Sequence, residues 1–206
     1  MDLDPDTRRS LERRAAQAEY VTIAWNVGEM FITIGLGVAA RSLALIAFGA
    51  DSMVEVFASS VVVWHLRHPD RHGAAVTATA LRLVAVAFFM LGGVLVVVAA
   101  WALRAGHVAG ASPLGIAYVA VTVVVMLFLA GVKRRIGARL GSKPLAAEAR
   151  MTFLDAMLAG SILLGLVANA AFGWWWADPA ATLVVAGASL FEGVENLREA
   201  AELHAD

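Results

Sequence analysis

The chain has 206 residues, of which 60% are hydrophobic and only 16% are charged, and its mean hydropathy is +0.75. Water-soluble domains are usually about half apolar and about a quarter charged, so this composition excludes an ordinary soluble domain and indicates that lipid is the solvent. There is no cysteine, which excludes disulfides, thiolate metal ligands and a catalytic thiol.

Six apolar segments are long enough to cross a bilayer, since a spanning helix needs about 20 mostly apolar residues. They cover residues 21–40, 42–64, 83–103, 114–132, 145–172 and 177–197. The predicted fold class is therefore an all-α membrane protein, a bundle of six transmembrane helices. Its predicted parts are an N-terminal segment (1–19), a transmembrane domain (20–197) and a short tail (198–206), with no further domain expected.

The positive charges are distributed unevenly between the two sides of this predicted bundle. If the N-terminus is cytoplasmic, fourteen of the sixteen basic residues fall on the cytoplasmic side, and only Arg41 and Arg104 fall outside. Basic residues concentrate in cytoplasmic loops, so the sequence predicts that both termini are cytoplasmic, in an inner (plasma) membrane of the bacterial type. The basic run at residues 133–135 is interpreted as a contact with anionic lipid headgroups, and nucleic-acid binding is not expected.

Acidic residues interrupt three of the apolar segments, at Glu29, Asp51, Glu55 and Asp155. At about 1.5 Å per residue, all four reach the middle of a hydrocarbon core about 30 Å thick. An ionisable residue at this depth costs about 2.5–3.5 kcal/mol on insertion scales and usually serves a function. Asp51 and Glu55 share one helix face, and no Lys or Arg is predicted at that depth. A divalent cation or protons must then compensate these acids.

A structural role for the same acids stays open at this point. They could hold helices together through hydrogen bonds instead of binding an ion. In particular, Asn26 and Glu29 are one helical turn apart and could form a polar packing pair, an alternative as strong as direct ligation by Glu29.

Two motifs resemble those of the cation diffusion facilitator family, whose members export divalent metals. Residues 50–55 (Ala-Asp-Ser-Met-Val-Glu) resemble the second-helix motif, with Glu in place of the usual second Asp. Residues 148–155 resemble the fifth-helix motif, although Met151 stands where its first ligand is expected. The start of the sixth helix at residues 177–179 is also similar to the family, and the resemblance extends over about residues 15–200.

The resemblance implies a homodimeric six-helix transporter that exports a divalent metal, with protons as the counter-ion and with Asp51, Glu55 and Asp155 as ligands. Glu29 is added because the first fifth-helix ligand is missing. The candidate metal ligands are therefore Asp51, Glu55, Asp155 and Glu29, and the auxiliary candidates are Asn26, Met151 and Glu148. Zinc is expected first, followed by cobalt, manganese, iron(II) and cadmium. The metal is the substrate, and no permanently bound cofactor is expected.

Weaker signals lie at the predicted cytoplasmic side. His65, His68 and His72 are spaced three and four residues apart and could capture metal at the mouth of the bundle, or could be ordinary residues of a polar interface. Glu148 could line this mouth, or could pair with the nearby Arg150.

Two rival functions remain. The chain is similar to the short members of the family that lack the cytoplasmic C-terminal domain, and it could be a non-transporting subunit that regulates another transporter. An intramembrane enzyme is not expected, because no nucleophile motif is present and no catalytic residue is predicted.

Overall fold

The computed structural model describes residues 4–40, 43–68, 70, 72–106 and 113–203, and every regular element in these residues is an α-helix. The helices are α1 (Pro5–Ala40), α2 (Leu43–Arg67), α3 (Ala74–Ala105), α4 (Pro113–Leu140), α5 (Lys143–Phe172) and α6 (Ala177–Glu202). The predicted all-helical fold is confirmed. The predicted one-residue connection at Arg41 lies outside the described residues.

Among the described residues, three helical stretches are long and apolar enough to cross a membrane by length and composition. They are Ala74–Ala105, Ala117–Leu140 and Lys143–Asn169. For α1, α2 and α6, crossing of the membrane stays a prediction, as does the cytoplasmic position of the termini.

The outer surface of the bundle is apolar where a soluble protein would be polar. Phe31, Phe128, Leu164 and Val184 lie on four different helices, and each has 68–73% of its surface exposed. A water-soluble monomer rarely exposes apolar groups of this size on so many sides. Such a surface is suited to lipid, which agrees with an integral membrane protein.

Successive helices run antiparallel, because alternate helix termini meet around one cavity. This cavity of about 270 Å³ is lined by residues near the starts of α1, α3 and α5 and near the ends of α2, α4 and α6. We call this side of the molecule the terminal end. The most extensive helix contacts are those of α3 with α6, α1 with α2, and α4 with α5, while contacts of α1 with α4 and of α2 with α5 enclose a shared interior.

The predicted N-terminal segment continues without a break into the first helix. Leu11 and Ala15 are buried and pack against Val62, Ile136 and Leu145 at the terminal end. The start of α1 is therefore part of the bundle, held by the same apolar contacts as the other helices.

Glycines end two of the helices on the opposite side. Gly106 and Gly173 adopt left-handed backbone conformations, with φ of 61° and 69°, and their N–H groups bond to carbonyls of the last turns of α3 and α5. A residue without Cβ is favoured in this conformation, which closes the helix and reverses the chain.

Gly165 allows α5 to approach the start of α6 closely. A Cβ at this position would lie 2.9 Å from the Cα of Asp178 and nearer still to its Cβ, so the backbone of α6 would have to move. We expect Gly165→Ala to destabilise the protein by about 1–3 kcal/mol, in spite of the better helix propensity of alanine. Thermal unfolding in detergent micelles measures this effect.

Gly160 is the matched control, since it lies on the same helix with open space where a Cβ would be. Gly160→Ala is expected to leave the stability unchanged or to raise it by up to about 1 kcal/mol. Equal stabilities for the two variants would show that the contact of α5 with α6 is not tight in the membrane protein.

Candidate cation site

A stripe of polar side chains runs along the inner face of α1. Its members are Glu19, Thr22, Asn26, Glu29 and Thr33, none of them more than 3% exposed. They are spaced alternately three and four residues apart, which keeps them on one face of a helix with 3.6 residues per turn. Burial of so many polar groups inside an otherwise apolar bundle requires partners on the facing helices.

Those partners form similar polar stripes on the inner faces of α2, α4 and α5. They are Asp51, Ser52, Glu55 and Ser59 on α2, Thr122 and Lys133 on α4, and Glu148, Thr152 and Asp155 on α5, all at most 3% exposed. The bundle thus contains a polar column inside an apolar shell. In the following paragraphs "the column" means these residues together with the stripe of α1.

The middle of the column is centred on Asp155. Its carboxyl group lies close enough to that of Asp51 to interact with it directly, and the charges of Glu55 and Glu29 are also close enough to act on it. The four acids predicted from the sequence therefore lie in one electrostatically coupled layer. Two buried carboxylates in contact repel each other strongly unless a proton or a cation lies between them.

Hydroxyl groups hold Glu29 on the opposite side of this layer. Ser52 donates to its Oε2 at 3.2 Å, and Thr122 donates to its Oε1 at 3.0 Å. Asn26 instead donates to the backbone carbonyl of Thr22 at 3.0 Å. The contacts of the described residues thus give Glu29 partners on α2 and α4, and Asn26 bonds to the backbone of α1 instead of forming the packing pair that the spacing allowed.

The other side of the layer contains a base that the sequence reading did not place there. The Nζ atom of Lys133 lies 2.6 Å from Oε1 of Glu148 and 3.2 Å from Oε2 of Glu19, and the lysine is fully buried. Lys133 also donates to the hydroxyl of Thr152 at 3.0 Å, and that hydroxyl donates to Glu55 at 2.6 Å. The expectation that no Lys or Arg reaches the depth of the acids is wrong, because Lys133 points into the bundle.

The basic run that contains Lys133 is divided between two environments. Arg134 and Arg135 are exposed, and their contact to lipid headgroups stays a prediction, whereas Lys133 faces the column. The predicted pairing of Glu148 with Arg150 is also wrong. Glu148 pairs with Lys133, and Arg150 bonds to Glu192 on α6 at 2.5 Å.

Met151 lies away from the polar groups. It is 1% exposed and belongs to the main hydrophobic cluster of the bundle, together with Leu81, Phe88 and Leu158. Its thioether therefore serves packing in this conformation.

The three histidines do not converge on one point. His65 is buried and hydrogen bonded to Thr77 at 3.4 Å, and it lines the cavity at the terminal end together with His72. His68 is turned toward Trp64, with ring centroids 5.4 Å apart in an edge-to-face arrangement. Two of the three histidines thus line the mouth that the sequence suggested.

Within the part of the chain that the structure describes, no three Asp, Glu or His side chains are placed so that they could hold one metal ion together. Glu29 and Glu55 of the middle layer instead accept hydrogen bonds from hydroxyls, and Asp51 and Asp155 lie against each other. Ligation of one ion by Asp51, Glu55 and Asp155 therefore needs side-chain rearrangement from this conformation, and the assignment of ligands stays a prediction.

Sequence reasoning missed Glu19, Ser59, Thr122, Lys133 and Thr152. The signal was present in the spacing of the polar residues. Lys133 lies eleven residues, or three turns, after Thr122, and Thr152 lies one turn before the middle layer on α5. A search for polar residues at helical spacing inside apolar segments would have found the column, whereas a search for charges alone found only its middle.

Comparison with known proteins agrees with this architecture. A family model described as the cation efflux transmembrane domain matches residues 20–203. No curated protein is similar enough to the chain to count as a match.

Proposed function

The chain belongs to the cation efflux family, and we propose that it exports a divalent metal cation in exchange for protons. The family consists of cation transporters and not of enzymes, so the chain is an integral membrane cation transporter by membership. The divalent charge of the substrate, the proton coupling and the direction of transport are the proposal. The charge and the coupling rest on the arrangement of the column, and the outward direction rests on the cation efflux domain.

The contact between the carboxyl groups of Asp51 and Asp155 carries this proposal. It joins α2 to α5 in the middle of the bundle, where both residues are at most 3% exposed. Two carboxylates in contact must be compensated by positive charge. A divalent cation neutralises both, and a proton bound between them neutralises one, so binding of metal and loss of proton exclude each other at this pair.

Competition of this kind couples metal transport to proton transport when access to the pair alternates between the two sides of the membrane. A metal ion that enters from one side displaces the proton, and a proton that enters from the other side displaces the metal. Rigid-body motion of α2 against α5 would alternate access to the pair, as in transporters with a binding site near the bilayer midplane. Glu55 and Glu29 supply further carboxylate oxygens next to this pair, so the ion can exchange one carboxylate ligand for another as it moves.

The ligand chemistry favours borderline or hard divalent ions. All the candidate ligands of the middle layer are carboxylates, which suit manganese, iron(II) and cobalt as well as zinc. Zinc ordinarily takes nitrogen or sulfur ligands along with oxygen. We keep zinc first because the family exports it, and we propose a homodimer in an inner membrane with cytoplasmic termini on the same basis.

Flux measurements in proteoliposomes test the proposal. Vesicles that contain only this protein are loaded with a metal-sensitive dye, and zinc, cobalt, manganese, iron(II) and cadmium are added in turn. We expect flux of at least one ion above that of protein-free vesicles, accompanied by proton movement in the opposite direction. Absence of flux for every ion, with folded protein confirmed by circular dichroism, would overturn the proposal.

One observation favours a second candidate function. Met151 stands at the family's first fifth-helix ligand position and packs into the hydrophobic cluster, so the site has lost one ligand. A non-transporting subunit that stabilises another transporter would tolerate this loss. Metal binding without flux in the same vesicles would favour this candidate over the exporter.

A further inference from the structure

The ammonium group of Lys133 occupies a site that resembles the binding site of a free cation. Its Nζ atom lies 2.6 Å from Glu148, 3.2 Å from Glu19 and 3.0 Å from the hydroxyl of Thr152. The same Glu148 oxygen also accepts a hydrogen bond from Ser59 at 2.8 Å. Three helices, α1, α2 and α5, thus contribute groups around the positive charge that α4 carries.

The carboxylates of this site retain capacity for further ligation. Among the described residues, Oε1 of Glu19 and Oε2 of Glu148 are buried and have no hydrogen-bond donor. Glu55, joined to the site through Thr152, has a third such oxygen. A buried carboxylate oxygen without a donor is costly, since its desolvation is not repaid by a hydrogen bond. A single ammonium therefore compensates one of these acids, and the others require protons or a further positive charge.

The site lies between the cavity of the terminal end and the middle layer. Ser142 lines the cavity, Glu148 lies six residues later on α5, and Asp155 lies seven residues after that. At about 1.5 Å per residue along α5, Glu148 is about 9 Å from Ser142 and about 10 Å from Asp155. Thr152 joins the site to Glu55 at the near edge of the middle layer. An ion that passes from the cavity to Asp155 along the column must pass the ammonium group.

We propose that Glu19 and Glu148 form a second station for the transported divalent cation, which Lys133 occupies as a tethered substitute when no metal is present. The inference rests on the proposed function, because it places the station on the path of the exported ion. A divalent ion matches the two carboxylates in charge, whereas one ammonium neutralises them only when a proton is bound as well. The four-carbon stem of lysine is flexible, so its head can leave the site while α4 stays in place.

Chemical labelling of the wild-type protein tests this station. The chain has two lysines, Lys133, which is fully buried, and Lys143, which is exposed at the cavity rim and serves as the internal control. Brief treatment with acetic anhydride acetylates an accessible amine and releases acetate, and mass spectrometry counts the product at each lysine. We expect saturating zinc to increase the acetylation rate of Lys133 at least tenfold and to change that of Lys143 less than twofold.

An unchanged or slower acetylation of Lys133 in zinc would overturn the proposal. The variant Asp51→Asn separates the station from the middle layer. If zinc occupies the station directly, it still exposes Lys133 in this variant. If exposure requires Asp51, the release of Lys133 is a consequence of ion binding at the middle layer, and the second station does not exist.

The variant Glu19→Gln removes one carboxylate of the station and leaves the Glu148 partner of the lysine. We expect the zinc concentration for half-maximal labelling to rise at least tenfold, and an unchanged concentration would exclude Glu19 from the station. Flux is read separately in the vesicles. Zinc-dependent labelling without flux would overturn the exporter and retain the station. Flux without zinc-dependent labelling would retain the exporter and overturn the station.

Discussion

Replacement of Asp51 by asparagine is expected to lower metal flux in proteoliposomes at least 100-fold. Asparagine has nearly the same volume and can still bond to Asp155, so packing of α2 against α5 is preserved. It removes one of the two charges that attract a divalent ion and leaves no second carboxyl group with which Asp155 can share a proton. Both the binding of metal and its displacement by protons are therefore lost. The initial rate of dye response to the ion that the wild type carries best measures the effect.

Glu195→Gln is the matched control for this variant. Glu195 carries the same charge on α6, but it lies outside the column and pairs with Arg198 on an exposed surface at 2.7 Å. Exposed pairs of this kind contribute little to stability, so flux is expected to stay within twofold of the wild type. An Asp51→Asn protein that keeps more than a tenth of the wild-type flux would place the site elsewhere.

Replacement of Lys133 by methionine is expected to destabilise the protein by about 3–5 kcal/mol. Loss of one partner from a buried ion pair leaves an uncompensated charge, which costs far more than the pair itself contributes. Here the base is fully buried between Glu19 and Glu148. Methionine fills most of the same volume, so the cost arises from charge and not from a cavity. Unfolding in mixed micelles at increasing dodecyl sulfate measures the change in free energy.

Two further variants make this prediction specific. Arg134→Met removes the neighbouring exposed base, and its effect is expected to stay within about 0.5 kcal/mol. In a Glu148→Gln background, Lys133→Met is expected to cost at least about 1 kcal/mol less than in the wild type, because the two residues interact directly. Additive effects of Lys133→Met and Glu148→Gln would contradict the ion pair.

Counting residues along each helix predicted one depth for the four middle acids, and the structure brings them into one layer, while their role as metal ligands stays a prediction. Glu29, Asp51, Glu55 and Asp155 interrupt long apolar segments, and helical rise alone brings them to one layer. The structure adds which of them are in contact. The carboxyl groups of Asp51 and Asp155 lie close together, whereas Glu29 is held by hydroxyls of α2 and α4. Contacts of this kind depend on the rotation of each helix about its axis, which counting does not give.

The direction of the Lys133 side chain could not be predicted by counting residues along the sequence. In sequence it is one of three consecutive bases at the edge of an apolar segment, where a snorkelling side chain is the ordinary expectation. The helix continues for two more turns, to Leu140, so the segment edge is still inside the bundle. Consecutive residues on a helix point about 100° apart. Lys133 consequently faces the column, while Arg134 and Arg135 face outward.

The sequence by itself determined the class of the protein, its all-helical fold, its resemblance to the cation efflux family and the depth of its acids. These follow from composition, from the length of apolar segments and from local spacing, which act along one helix at a time. Only the tertiary structure decided which acids meet, that Glu19 and Glu148 enclose Lys133, and that Met151 serves packing. Those outcomes depend on how four helices are rotated against one another, and packing between helices sets that rotation.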